Sequence, residues 1–319
     1  MKRVLDQTLA AAMDTAMCGM MNAMQWRRRH LVCSKVQLEE YLTKCESLSR
    51  EDYYLRIDPP SLEPVDHWLE WPSPATSGFV ENDHLRVKIY PCAKGPAAPT
   101  VFILHALMSA SDAGYQKLAQ WFNDRGWNAA FPHLPFHYSR KPKGYLNGEL
   151  AVTADLVRNG ETLRQCVMEL RQLMQWFRLR GCTEFGIIGT SYGGWNAALL
   201  SFLEPDLRFL SLIQPIANVE TAIWRNPGAV SMRTLLKAQG VRPSDSIRHA
   251  HISSPMHGTP LCGSDRVILT AGRFDTVSPP AELHALQKLW PGSKLLTVQQ
   301  GHFGYAALRA TMQEIEPRL

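Results

Sequence analysis

A chain of 319 residues, 45% of them hydrophobic, is long enough to bury a substantial core and suits one α/β domain with decorations. Its formal net charge of +5 is modest for that length and comes without the dense basic tracts that nucleic-acid binding requires, so no nucleic-acid partner is expected. No apolar run approaches the about 18 residues of a membrane span, and the seven scattered cysteines include no C-x-x-C pair, which argues for reduced thiols and a cytoplasmic setting and against a zinc knuckle or redox motif.

The chain opens on Leu5, Leu9, Met13, Met17, Met20 and Met24, which recur at helical spacing and predict a helix with an apolar stripe. Asp6 and Asp14 interrupt the stretch and argue against a secretory signal or a transit peptide. Such a stripe ordinarily packs on its own domain or on a partner subunit, which leaves a homo-oligomer open. With Arg27-Arg28-Arg29-His30 behind it, the helix is also a candidate for peripheral contact with an anionic membrane surface. Ser34-Lys35-Val36-Gln37 has capping-box spacing and starts a second helix through about residue 47. Pro59-Pro60 and Pro64 mark the passage from this N-terminal helical extension, residues 1–60, into an α/β domain over residues 61–319.

Strands are expected near residues 84–91, 100–105 and 127–132, with a helix carrying Tyr115, Leu118 and Phe122 on one face between the last two. The apolar strand ending at Leu104 leads into His105-Ala106-Leu107-Met108, where the first strand–helix junction of the core can supply backbone N–H donors. Alanine at 106 is small enough for that turn, though it would be strained if its φ were positive. His105 reads as a brace for the loop, or as a residue bordering the cleft. His133, His137 and Tyr138 also lie at a strand end. The His133/His137 pair lacks a third ligand at metal-binding spacing, so neither a metal nor another cofactor is expected. A long helix follows from about 151 to 180, with Leu163, Val167, Leu170, Met174 and Phe177 as its core stripe.

Phe185-Gly186-Ile187-Ile188 then runs into Gly189-Thr190-Ser191-Tyr192-Gly193 and the helical stretch from Trp195 to Leu200. A strand, a sharp turn holding serine and a helix are the context that makes G-x-S-x-G a nucleophile elbow. The strand Leu207 to Ile213 is followed by residues 215–263, longer than the connection requires and expected to form a cap. There Trp224, Met232, Leu235 and Leu236 either line an apolar pocket or close the cap onto the core. Arg266 to Thr270 reads as a buried parallel strand that delivers Asp275 just past its carboxyl end, and Lys294 to Val298 delivers His302 on a glycine-flanked loop. A hydroxyl needs a base and the base an orienting acid, so Ser191, His302 and Asp275 are the candidate nucleophile, base and acid. The N–H groups of Tyr192 and Leu107, with Met108 as the alternative to Leu107, are the candidate oxyanion hole. His105, His137, Tyr138, Trp195 and Trp224 are the candidate pocket residues.

The order of these elements, from His105-Ala106-Leu107-Met108 through the elbow to Asp275 and His302, resembles the α/β-hydrolase superfamily over roughly residues 83–319. The stretch Leu134 to Pro142, leading to a long helix before the elbow, is similar to the type-18 abhydrolase branch. The resemblance implies an α/β-hydrolase fold with a mostly parallel sheet flanked by helices. It also implies a serine hydrolase that cleaves carboxylic esters, its partner a small-molecule or lipid-like acyl ester. Thioesterase, amidase or peptidase chemistry on the same residues and a ligand-binding scaffold of low turnover stay open.

Overall fold

The computed structural model describes residues 2–319, with side chains from residue 7 onward. Its strands are β1 (Trp68–Pro72), β2 (His84–Tyr90), β3 (Thr100–Leu104), β4 (Asn128–Pro132), β5 (Phe185–Thr190), β6 (Leu207–Ile213), β7 (Val267–Gly272) and β8 (Lys294–Val298). Among the described residues they form one eight-stranded sheet in the order β1-β2-β4-β3-β5-β6-β7-β8. β2 pairs antiparallel with β1 and β4, and all later neighbours pair parallel. The local sequences explain the split. β3, β6 and β7 are near-continuous apolar runs, as strands covered on both faces must be. β2 instead alternates buried and half-buried positions. β1 has no counterpart in the sequence reading: Glu70 interrupts its apolar residues, and it is an edge strand ending in Pro72, a position where proline is tolerated.

The helices are α1 (Lys2–Arg27), α2 (Lys35–Glu46), α3 (Arg50–Tyr53), α4 (Ala113–Asn123), α5 (Leu156–Arg178), α6 (Tyr192–Ser201), α7 (Val219–Trp224), α8 (Val230–Ala238), α9 (Pro243–Ile247), α10 (Ala250–Ser253), α11 (Pro280–Leu289) and α12 (Ala306–Ile315). Apolar residues of α5, α6 and α11 share one core with the sheet, and those of α4 and α12 fill the opposite face. The architecture is a mostly parallel sheet between two helical layers. All five residues of the expected α5 stripe are buried. α2 starts at the Ser34/Gln37 capping box, with each side chain accepting from the other residue's backbone N–H. The described residues contain no helix long and apolar enough to cross a membrane, and all seven cysteines are free and buried.

α1 forms, but its inward face is about one residue out of phase with the expected stripe. Ala10, Asp14, Cys18, Met24 and Gln25 are buried, whereas Leu9, Met13 and Met20 are exposed; the side chain of Leu5 lies outside the described residues. Polar anchors set the phase. Asn22 donates to Pro227 O at 2.8 Å and accepts from Ser231 N at 2.9 Å, and Gln25 accepts from Met232 N at 3.1 Å. These bonds seat α1 on the helical segment between β6 and β7. Within that segment Met232 and Leu236 are buried in the main core, so they close it onto the body of the protein, while Leu235 and Trp224 pack half-buried against it.

The segment after β4 is held by charge. Arg140 and Glu169 are buried and form a bidentate pair, 2.6 Å from Nη1 to Oε2 and 2.7 Å from Nη2 to Oε1. Nη1 also donates to His133 O at 3.0 Å and Nη2 to Asn82 O at 2.5 Å, while Ser73 Oγ donates to Glu169 at 2.6 Å. Removing one partner leaves an uncompensated buried charge, so Arg140→Met is expected to cost about 3–5 kcal/mol in urea unfolding. The double variant Arg140→Met/Glu169→Leu should recover most of that loss. A single variant as stable as the wild type would contradict this role.

Candidate active site

Ser191 sits between β5 and α6 with φ 51° and ψ −111°, a backbone conformation that side chains disfavour. Its N–H donates to Ile213 O of the neighbouring strand at 2.8 Å, which ties the strained residue to the sheet. The glycines around it are required by space. A Cβ on Gly189 would lie 2.5 Å from Gly193 O, and one on Gly193 would collide with the carbonyl oxygens of Leu104 and His105. The turn therefore packs backbone against backbone, and Ser191 is presented at the head of α6.

β7 and β8 end beside each other and carry the other two residues. His302 Nε2 lies 2.8 Å from Ser191 Oγ, and its Nδ1 lies 2.8 Å from Asp275 Oδ2. A carboxylate accepts, so Nδ1 donates to Asp275 and Nε2 is left to accept from the serine hydroxyl. Asp275 is itself held on all sides. Its Oδ1 accepts from Val277 N at 2.8 Å and Ser278 N at 2.7 Å, and its Oδ2 also accepts from Gln214 Nε2 at 2.5 Å. Gln214 donates as well to Gly301 O at 2.7 Å, and Gln300 Nε2 donates to Gln214 Oε1 at 2.8 Å. The structure thus brings Ser191, His302 and Asp275 into one chain of hydrogen bonds, set in a buried polar frame.

Opposite this chain lies the turn after β3, closed by Ser109 N donating to Ala106 O at 3.4 Å. The positive φ falls on Met108, at 57°, and Ala106 is not among the positive-φ residues, so the strain considered for alanine resides two positions later. Met108 N–H donates to His137 Nε2 at 3.3 Å, which commits it within the protein. For the N–H of Leu107 and of Tyr192 no acceptor is found among the described residues. The N–H groups of Leu107 and Tyr192 are thus unengaged among the described residues, whereas that of Met108 is engaged.

Two candidate pocket residues are turned away from any ligand, His105 in the bracing role that the sequence also offered for it. His105 and His137 are fully buried with both ring nitrogens engaged. His105 Nδ1 donates to Ala106 O at 2.9 Å while Nε2 accepts from Leu134 N at 3.1 Å. His137 Nδ1 donates to Pro135 O at 2.8 Å while Nε2 accepts from Met108. They brace the loop that carries Leu107 and leave no nitrogen for a ligand. Burial pushes His105 well below the usual histidine range, His137 down to about 4, and His133 to about 4 with Arg140 adding to the effect. Tyr138 is half-buried and donates to Ser111 O at 3.4 Å. Trp195 Nε1 donates to Ser253 O at 2.7 Å, and Trp224 Nε1 to Ser246 Oγ at 2.9 Å, so both indoles fasten the segment between β6 and β7. A cavity of about 540 Å³ lies elsewhere, between α2 and the start of α5, bordered by Cys33, Tyr41, Lys44 and Arg158.

Sequence reasoning missed Gln214, Thr276, Gln300 and Asp14. Gln214 had one signal, a polar residue with φ +47° directly after an apolar strand, and only its second half is readable from sequence. Comparisons with known proteins agree with this architecture. The family described as "Alpha/beta hydrolase domain containing 18" matches residues 117–223, which span the approach to the elbow and the elbow itself. Two curated proteins of Mycobacterium tuberculosis, from strains CDC 1551 and H37Rv and described only as uncharacterized, are each 25% identical over 207 residues, 62% of this chain and 47% of theirs. The chain thus matches over about half the length of these relatives. Among solved structures, acetyl xylan esterase 1 from Thermoanaerobacterium sp. JW/SL YS485 superposes with a TM-score of 0.56 at 14% identity, covering 89% of this chain and 93% of its own. The α/β-hydrolase GrgF from Penicillium sp. sh18 gives 0.53 at 11% identity, covering 79% and 96%. The acylaminoacyl peptidase of Pyrococcus horikoshii gives 0.51 at 14%, covering 77% and 40%. At such identities the likeness is one of fold.

The buried histidines give a prediction about acid. Their folded-state values lie below the unfolded value of about 6.5, so the unfolded chain binds more protons between about pH 6.5 and 4. Stability is complete above that window and falls through it, by up to about 1.4 kcal/mol per pH unit for each such histidine. Urea midpoints measured from pH 7 to 4.5 should decline, and a flat profile would contradict burial of these rings in the neutral form.

Proposed function

We propose that this chain, which has the fold of α/β-hydrolases and matches the family described as "Alpha/beta hydrolase domain containing 18" over residues 117–223, is a serine hydrolase that cleaves carboxylic esters through Ser191, His302 and Asp275. The observation that carries this reading is the 2.8 Å contact of His302 Nε2 with Ser191 Oγ, backed by the 2.8 Å contact of Nδ1 with Asp275. Ser191 Oγ attacks the acyl carbonyl while His302 Nε2 takes its proton. Asp275 holds the imidazole in the tautomer that accepts at Nε2 and stabilises the imidazolium that forms. The carbonyl oxygen, now negative, turns toward the N–H groups of Leu107 and Tyr192, an interaction worth about 3 kcal/mol per donor at comparable sites. His302 then returns the proton to the departing alcohol. Water repeats the sequence on the acyl-enzyme, with His302 again as base.

Thioesters, amides and peptides can be cleaved by the same groups, and the structural relatives include both an esterase and a peptidase by name. An ester is favoured by the modest helical insertion between β6 and β7, which suits a small acyl or alcohol group better than a folded polypeptide. A scaffold of low turnover is disfavoured by the hydrogen-bond frame around Asp275, which spends a buried glutamine and two backbone N–H groups on orienting one carboxylate.

The test is hydrolysis of short acyl esters together with labelling by a fluorophosphonate probe. Wild-type protein should hydrolyse the esters and carry the label on Ser191. Ser191→Ala should abolish both with little change in thermal stability. Asp275→Asn should lower kcat by about 10⁴-fold. Hydrolysis retained in purified Ser191→Ala, or label found on another residue, would refute the assignment.

A further inference from the structure

We propose that Asp14, on the N-terminal helix, is a positioning residue for His302, clamping the loop that bears Asp275 to the loop that bears His302. This inference rests on the function proposed above, since it concerns the same three residues. Asp14 is buried, and one carboxylate spans both loops. Its Oδ1 accepts from the backbone N–H of His302 itself at 2.9 Å. Its Oδ2 accepts from the N–H and from the hydroxyl of Thr276, the residue after Asp275, at 3.0 Å each. Three donors converge on a group that would otherwise be costly to bury.

β7 ends at Gly272 and β8 at Val298. Arg273 N–H donating to Val298 O at 2.8 Å and Phe274 N–H to Gln300 O at 3.0 Å continue the pairing, and Asp275 and His302 lie just past the last of these bonds. Gln214 ties them from the β6 side through Asp275 Oδ2 and Gly301 O. Asp14 ties them from α1. Gly301 shows how close the helix comes: a Cβ there would lie 2.7 Å from Asp14 Oδ1 and 3.1 Å from the Ala10 Cβ. Further polar anchors of α1 reach different parts of the molecule. Asn22 and Gln25 bond the segment around residues 227–232, and Arg28 bonds Glu149 at 2.9 Å. Asp14 alone among these joins α1 to the site, which distinguishes a positioning role from general docking of the helix.

The test compares Asp14→Asn with Asn22→Ala, which loosens α1 without touching either loop. The first readout is the downfield proton resonance of His302 Nδ1–H donating to Asp275, which does not depend on turnover. It should broaden or vanish in Asp14→Asn and persist in Asn22→Ala. A resonance in Asp14→Asn with the wild-type shift and width would overturn the proposal. The second readout is kinetic. In Asp14→Asn the rate of fluorophosphonate labelling and kcat should fall on the order of 10²-fold while KM changes little, the pattern of a misplaced base. Asn22→Ala should keep the wild-type labelling rate per folded molecule despite a lower Tm, and a folded Asp14→Asn with wild-type rates would overturn the proposal. If Asp14→Asn does not fold, Thr276→Val removes one of the three donors and should give a smaller loss in the same quantities, restored in Thr276→Ser; no loss in Thr276→Val would overturn the clamp. A wild-type protein that takes no label would count against the proposed function alone, and the resonance would still decide the role of Asp14.

Discussion

The structure depends on holding one serine in a backbone conformation that it does not favour. At φ 51° and ψ −111°, Ser191 carries a strain on the order of 1–3 kcal/mol. The sheet sustains it through the bond from Ser191 N–H to Ile213 O, and through glycines at 189 and 193 whose missing side chains let β5, α6 and the turn after β3 meet as bare backbone. That close approach puts the head of α6 beside the Leu107 turn. The strain, the glycines and the pair of unengaged N–H groups are thus one arrangement seen from three sides.

Around the serine, the surroundings are polar and densely hydrogen-bonded, with Tyr192 Oη and Arg140 Nε left unpartnered among the described residues. Asp275 accepts four hydrogen bonds, two from its own loop, one from His302 and one from Gln214. Asn226 Nδ2 donates to Val277 O at 2.8 Å, which attaches the helical insertion to the same loop. On the other side, His105 and His137 hold the Leu107 turn, and the Arg140–Glu169 pair holds the segment on which His137 lies. The satisfied members of such a buried polar network are held rigidly. Rigidity is what a site needs if its donors are to be in place before charge develops.

Much of the fold was legible in the sequence because the parallel strands are short, apolar and bounded by turn residues. Phe185 to Ile188, Leu207 to Ile213 and Lys294 to Val298 could be read directly, and the order of Ser191, Asp275 and His302 after successive strands pointed to one crevice. What escaped is long-range and polar. The spacing of Leu5, Leu9, Met13, Met17, Met20 and Met24 predicts the phase of α1, yet hydrogen bonds of Asn22 and Gln25 to a segment some 200 residues away turn the helix so that Leu9, Met13 and Met20 face outward while Met24 stays buried. Asp14 read only as an acid out of keeping with a leader peptide. Gln214 resembled any residue after a strand. His105 was legible as a brace for its loop as well as a residue of the cleft, whereas His137 looked available because a sequence shows ring nitrogens but not what already occupies them. Hydrophobic periodicity reports layers, whereas such partners become visible only when the chain is closed.

The most direct test of the central claim is a crystal structure of the protein after reaction with a fluorophosphonate. Phosphorus should be bonded to Ser191 Oγ, with the phosphoryl oxygen within hydrogen-bonding distance of the N–H groups of Leu107 and Tyr192 and His302 still seated on Asp275. A phosphoryl oxygen turned away from both N–H groups, or an adduct on any other residue, would contradict the claim.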